Sequence, residues 1–96
     1  MALNRDLNGR EMQARLERAG ICPQKVVRKR ETGYYTADFY VPELQAAVLP
    51  AHAWAREIER NFPGQVQIIQ TDDMRADWRD GQPIIAATVT FAFRRQ

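Results

Sequence analysis

Apolar residues recur along this chain with two different periods, and the places where the period changes mark the elements. Met12, Leu16 and Ala19 fall at helical spacing, with Arg10, Arg15, Glu17 and Arg18 on the other faces. Asn8 followed three positions later by Glu11 forms the pattern of a capping box, so a helix starts near Asn8. Its end is equally readable. Gly20 tolerates the left-handed conformation just past a helix, Ile21 can fold back onto Leu16, and Pro23 forbids continuation. Beyond it, KVVRKR (25–30), a Glu31-Thr32-Gly33 loop and YYTADFYV (34–41) read as a β-hairpin. Alternation in the second arm puts Tyr35, Ala37, Phe39 and Val41 on one face and Tyr34, Thr36, Asp38 and Tyr40 on the other.

Pro42 and Pro50 bracket ELQAAVL, which fits either a helical turn or an ordered loop. A second helix is predicted from Ala51 to Asn61. Ala51, Ala55, Ile58 and Phe62 share its apolar side, Trp54 adjoins them, and Pro63-Gly64 ends it. QVQIIQ (65–70) is then a strand. IIAATVTFAF (84–93), rich in β-branched and aromatic residues, is a central strand or a long edge. The intervening 71–83 either extends that hairpin to an Asp80-Gly81 turn or forms a short helix capped by Thr71.

Displacing the chain against itself by forty-two positions puts Met12 on Trp54, Leu16 to Arg18 on Ile58 to Arg60, and Val26-Val27 on Ile68-Ile69. Each half then reads helix, strand, strand. The expectation is a single α+β domain of α-β-β-α-β-β order, made of two αββ half-repeats at about 8–41 and 50–93. Its architecture is a two-layer sandwich: a four-stranded antiparallel sheet with two helices on one face, resembling a ferredoxin-like fold with permuted connections. Such a sheet leaves its other face available.

Composition narrows the class. Hydrophobic residues make up 45% of the chain and charged ones 27%, values of a folded protein rather than a disordered one. No apolar run reaches the ~18 residues of a membrane span, and the opening MALNRDLNGR lacks the apolar stretch of a signal peptide. Cys22 is the only cysteine, so no internal disulfide forms and the cytoplasm is the expected location. At 96 residues the core is thin, and association as a homodimer is expected. A net charge of +2 permits an anionic partner without demanding one.

Candidate chemistry is sparse. Lys25, Arg28, Lys29 and Arg30, followed by Tyr34 and Tyr40, combine cations for phosphate with aromatic faces for unpaired bases on one hairpin. The same charges also serve to protect an edge strand from unwanted pairing. Asp72, Asp73, Asp77 and Asp80 gather carboxylates, but no complete cation-ligand pattern accompanies them. His52 and Cys22 carry no metal-ligand spacing or orienting partner, and Cys22, between Ile21 and Pro23, fits a small buried hydrophobe. There is no phosphate loop, nucleophile elbow or clustered metal motif, so neither a cofactor nor an enzymatic activity is expected. Trp54 reads as core. Trp78, set among Arg75, Asp77, Arg79 and Asp80, reads either as an exposed interface residue or as a ring folded over the sheet end. The leading expectation is an interaction module that binds itself or another protein, with Trp78, Phe93 and Tyr40 as contacts on the open face or on the edge of the last strand. The alternative is a single-stranded nucleic-acid binder using Lys25, Arg28, Lys29, Arg30, Tyr34 and Tyr40.

Overall fold

The computed structural model describes residues 7–42, 49–79 and 81–94. The elements run α1 (Gly9–Arg18), β1 (Lys25–Arg28), β2 (Tyr35–Pro42), α2 (Ala51–Asn61), β3 (Val66–Arg79) and β4 (Gln82–Phe93). They form an α+β protein with one four-stranded, wholly antiparallel sheet of strand order β1-β2-β4-β3. Among the described residues, no helix is long and apolar enough to cross a membrane.

The signals at the ends of α1 operate as its sequence predicts. Asn8 accepts from the Glu11 amide and Glu11 accepts from the Asn8 amide, each at 2.8 Å, which closes the capping box. At the other end the Ile21 amide donates to the Leu16 carbonyl and the Gly20 amide to that of Glu17, both at 2.9 Å, with Gly20 at φ +83°. This is a Schellman motif, and it turns Ile21 into the core beside Leu16. Cys22 then points outward. The expectation of a buried thiol is corrected here: the sharp turn commits Ile21 and Pro23 to the inside and leaves the residue between them exposed.

Both helices contribute to one apolar cluster. Met12 and Leu16 of α1, and Ala51, Ala55 and Ile58 of α2, meet Val26, Tyr35, Ala37, Phe39, Ala87, Val89 and Phe91 of the sheet. The strand residues in that cluster alternate along β2 and β4, so one sheet face carries the helices. Tyr35 stacks on Phe91 at 5.6 Å between ring centroids, and Trp54 lies nearly parallel to Phe39 at 4.3 Å. The Tyr35 hydroxyl donates to the Leu7 carbonyl at 2.6 Å, which ties the segment ahead of α1 to the sheet.

The last strand is central. β4 pairs with β2 from Ile84 to Phe91 and with β3 along almost its whole length, so it has no free edge there for a partner, and the edges belong to β1 and β3. Positions 71–79 and 82–83 extend the hairpin rather than forming a helix, so Asp72, Asp73 and Asp77 lie on a strand. The extension bends through two β-bulges, between Ile68 and Gln70 and between Asp72 and Arg75. Most of ELQAAVL (positions 43–48) and Asp80 lie outside the described residues.

Candidate functional site

The sheet face opposite the helices is the largest candidate surface, and the strand register orders it into rows. Val27, Thr36, Thr90 and Gln70 line up across β1, β2, β4 and β3, a row with no charge. The adjacent row is Lys25, Asp38, Thr88 and Asp72, in which the Thr88 hydroxyl donates to the Asp38 carboxylate at 2.8 Å. The next row is Tyr40, Ala86 and Arg75. Tyr34 falls on the same side by alternation, beyond the opposite end of the neutral row. Val27 at one border is 39% exposed and Ile69, the extra residue of the first bulge, is 38% exposed at the other. This face thus carries threonine hydroxyls and two half-buried tyrosines beside the charges of Lys25, Asp38 and Asp72, while Ala86 is covered.

The residues expected to act together are divided between the two sides of the sheet. Tyr40 lies on the open face. Phe93 lies on the helix side, in edge-to-face contact with Phe62 at 5.8 Å and with the Arg15 guanidinium over its ring, also at 5.8 Å. It is a packing residue at the border of the core. Trp78 is 68% exposed near the hairpin end, opposite Pro83, and the register puts it on the side that Ala87 and Val89 take. Trp78, Phe93 and Tyr40 therefore share no single surface.

The basic and aromatic set is split in the same way. Lys25 is exposed on the open face with Tyr34 and Tyr40, but Asp38 stands beside it as its cross-strand neighbour. Arg28 pairs with Tyr35 and so belongs to the helix side, where it and Arg30 line a groove against the first turn of α1. Lys29 is exposed in the loop between β1 and β2. Among the described residues no group of three or more histidine, cysteine, aspartate or glutamate side chains could hold a metal ion. Cys22 and His52 are both exposed, one beyond the end of α1 and the other in the first turn of α2.

Two sets of residues escaped the sequence reading. Thr36, Thr88 and Thr90 were legible, because VTF and its neighbours alternate Thr88, Thr90 and Ala92 against Val89, Phe91 and Phe93. Arg10 was not, since only the packing of α1 beside β1 brings it to Arg28 and Arg30. Compared with protein-family models, with curated proteins and with solved structures, the chain matches none.

Proposed function

We propose that this chain is a non-enzymatic interaction module that pairs with a second copy of itself through the open face of the sheet, with Tyr40 and the threonine rows as contacts. The observation that carries the reading is the arrangement of charge on that face. Lys25 stands at one border and Asp72 at the other border of the same row. A two-fold axis parallel to the strands would lay β1 of one copy over β3 of the other and bring each Lys25 to the partner's Asp72, while the uncharged Val27-to-Gln70 row meets itself. Such a face is self-complementary.

The same reading treats the chain as two αββ halves in a permuted ferredoxin-like sandwich. In support, a displacement of forty-two positions carries α1 onto α2 and Val26 onto Ile68, and one of fifty-four carries Ala37 onto Phe91. Thr36 then falls on its own cross-strand partner Thr90, at the middle of the neutral row.

Sedimentation velocity over a concentration series tests the proposal. Dimers are expected to form, Thr90→Arg is expected to leave a folded monomer, and the exchange Lys25→Asp with Asp72→Lys is expected to restore association that either change alone weakens. A wild-type chain that stays monomeric to about 1 mM, where even a 4 kcal/mol interaction is half saturated, would overturn it. Single-stranded nucleic-acid binding ranks second, because two of its four cations, Arg28 and Arg30, line the groove beside α1 rather than the face that carries Tyr34 and Tyr40.

A further inference from the structure

Two apolar side chains stand exposed at opposite ends of one row of the open face. Val27, on the edge strand β1, is 39% exposed, and Ile69, on the edge strand β3, is 38% exposed. The row itself runs Val27, Thr36, Thr90, Gln70. Ile69 reaches its end through the first β-bulge: Ile68 pairs with Phe91 and Gln70 with Thr90, so Ile69 and Gln70 both stand opposite Thr90. Single exposed apolar residues are ordinary on a protein surface. These two differ because one symmetry operation matches them and the charges at once. A two-fold axis along the strands, which brings Lys25 to the partner's Asp72, also lays Val27 on the partner's Ile69, since both rows run from β1 to β3. An axis across the strands, through the same row, would set Val27 on Val27 and Ile69 on Ile69 and carry Lys25 away from Asp72.

We infer that Val27 and the partner's Ile69 are the apolar anchors of the homodimer, one such contact at each side of the interface, and that the first bulge is the device that presents Ile69 for it. The inference rests on the open-face pairing proposed above and adds to it the direction of the symmetry axis. Each contact covers a side chain that water reaches in the single chain, and the neighbouring Lys25 and Asp72 supply a polar rim to it. The pair also specifies the partner. A chain without an apolar residue at the bulge position would offer Val27 nothing to cover it.

Cross-linking of the full chain in a Cys22→Ser background tests it, because Cys22 is itself exposed. Val27→Cys chains and differently tagged Ile69→Cys chains are mixed where the wild type is dimeric, left to exchange, and treated with a short bismaleimide. A cross-linked heterodimer is expected from the mixture and little product from either variant alone. With the axis along the strands, two thiols introduced at position 27 lie three strand spacings apart sideways, about 14 Å, on sheets about 10 Å from each other. Val27→Ser and Ile69→Ser are each expected to weaken dimerisation about tenfold in sedimentation, since each change acts at two contacts. Leu49→Ser, which removes a similarly exposed apolar side chain ahead of α2, is expected to change it less than about twofold. Circular dichroism of each variant establishes that it is folded. A dimer in which Val27→Cys cross-links to itself and not to Ile69→Cys overturns the inference and leaves the open-face pairing standing with an axis across the strands. A dimer that neither serine change weakens, or that Leu49→Ser weakens equally, also overturns it. A wild-type chain that stays monomeric removes the pairing and the inference together.

Discussion

Thr88 and Asp38 face each other across the two central strands, and the threonine hydroxyl donates to the carboxylate at 2.8 Å. The pair sits in the charged row of the open face, between Lys25 and Asp72. It fixes the Asp38 carboxylate beside Thr88 on that face. Thr88→Val keeps the shape of the side chain and removes the donor. It is expected to cost about 1 kcal/mol in urea unfolding, because the group is half-buried and the acceptor is charged. An unchanged midpoint would mean that water replaces the hydroxyl without loss.

Gly9 and Gly20 respond to alanine for different reasons. At Gly9 the new methyl would meet the Val26 carbonyl oxygen at 2.4 Å, a backbone atom that cannot swing aside as a side chain would, so α1 must shift away from β1. A loss of about 1–3 kcal/mol is expected. At Gly20 there is open space but φ is +83°, so the cost is conformational, about 1 kcal/mol, with no movement of the helix. Chemical denaturation measures both. Chemical shifts of Val26 and Val27 should move in Gly9→Ala and stay in place in Gly20→Ala.

Tyr35→Phe deletes the donor to the Leu7 carbonyl while leaving the stack on Phe91. The expected loss is about 1–2 kcal/mol, since a buried carbonyl is left without its partner. Hydrogen exchange at Asn8 and Gly9 should accelerate more than at Ala37 and Val89. Uniform acceleration would show that the bond contributes to global stability without anchoring the start of α1.

Two tryptophans report separately on the two ends of the molecule. In Trp54→Phe the only remaining tryptophan is Trp78, 68% exposed, and its fluorescence, excited selectively over the tyrosines, should be red-shifted and readily quenched by acrylamide. In Trp78→Phe the remaining Trp54, packed on Phe39, should be blue-shifted and shielded. Because Trp78 lies on the helix side, its quenching should not change as the protein associates through the open face. Protection of Trp78 on concentration would instead place the hairpin end in the contact.

Both helices were legible to within a residue because their ends carry their own chemistry: the Asn8–Glu11 box, the Gly20 turn and the Pro63-Gly64 stop act over a few positions. Segment 71–83 was not, because Asp72, Asp73, Asp77 and Arg79 have no local preference for a strand. What makes them one is pairing with β4, whose β-branched run supplies the template. The first bulge, which steers Gln70 and Asp72 to the open face, has no local signature either. The outward thiol of Cys22 follows from the angle of the Schellman turn, which composition does not reveal. The division of Arg28 from Tyr40 was present in the alternation of the hairpin, but its meaning appears only once α1 occupies one side.

The central position of β4 orders events during synthesis. Until positions 84–91 have left the ribosome, β2 has nothing to pair with on its inner edge, and Tyr35, Ala37 and Phe39 lack the Phe91, Val89 and Ala87 that complete their layer. The nascent chain therefore carries an adhesive strand for as long as the rest of the sheet takes to emerge, and its yield in a cell-free system should depend on added chaperone more than on elongation speed.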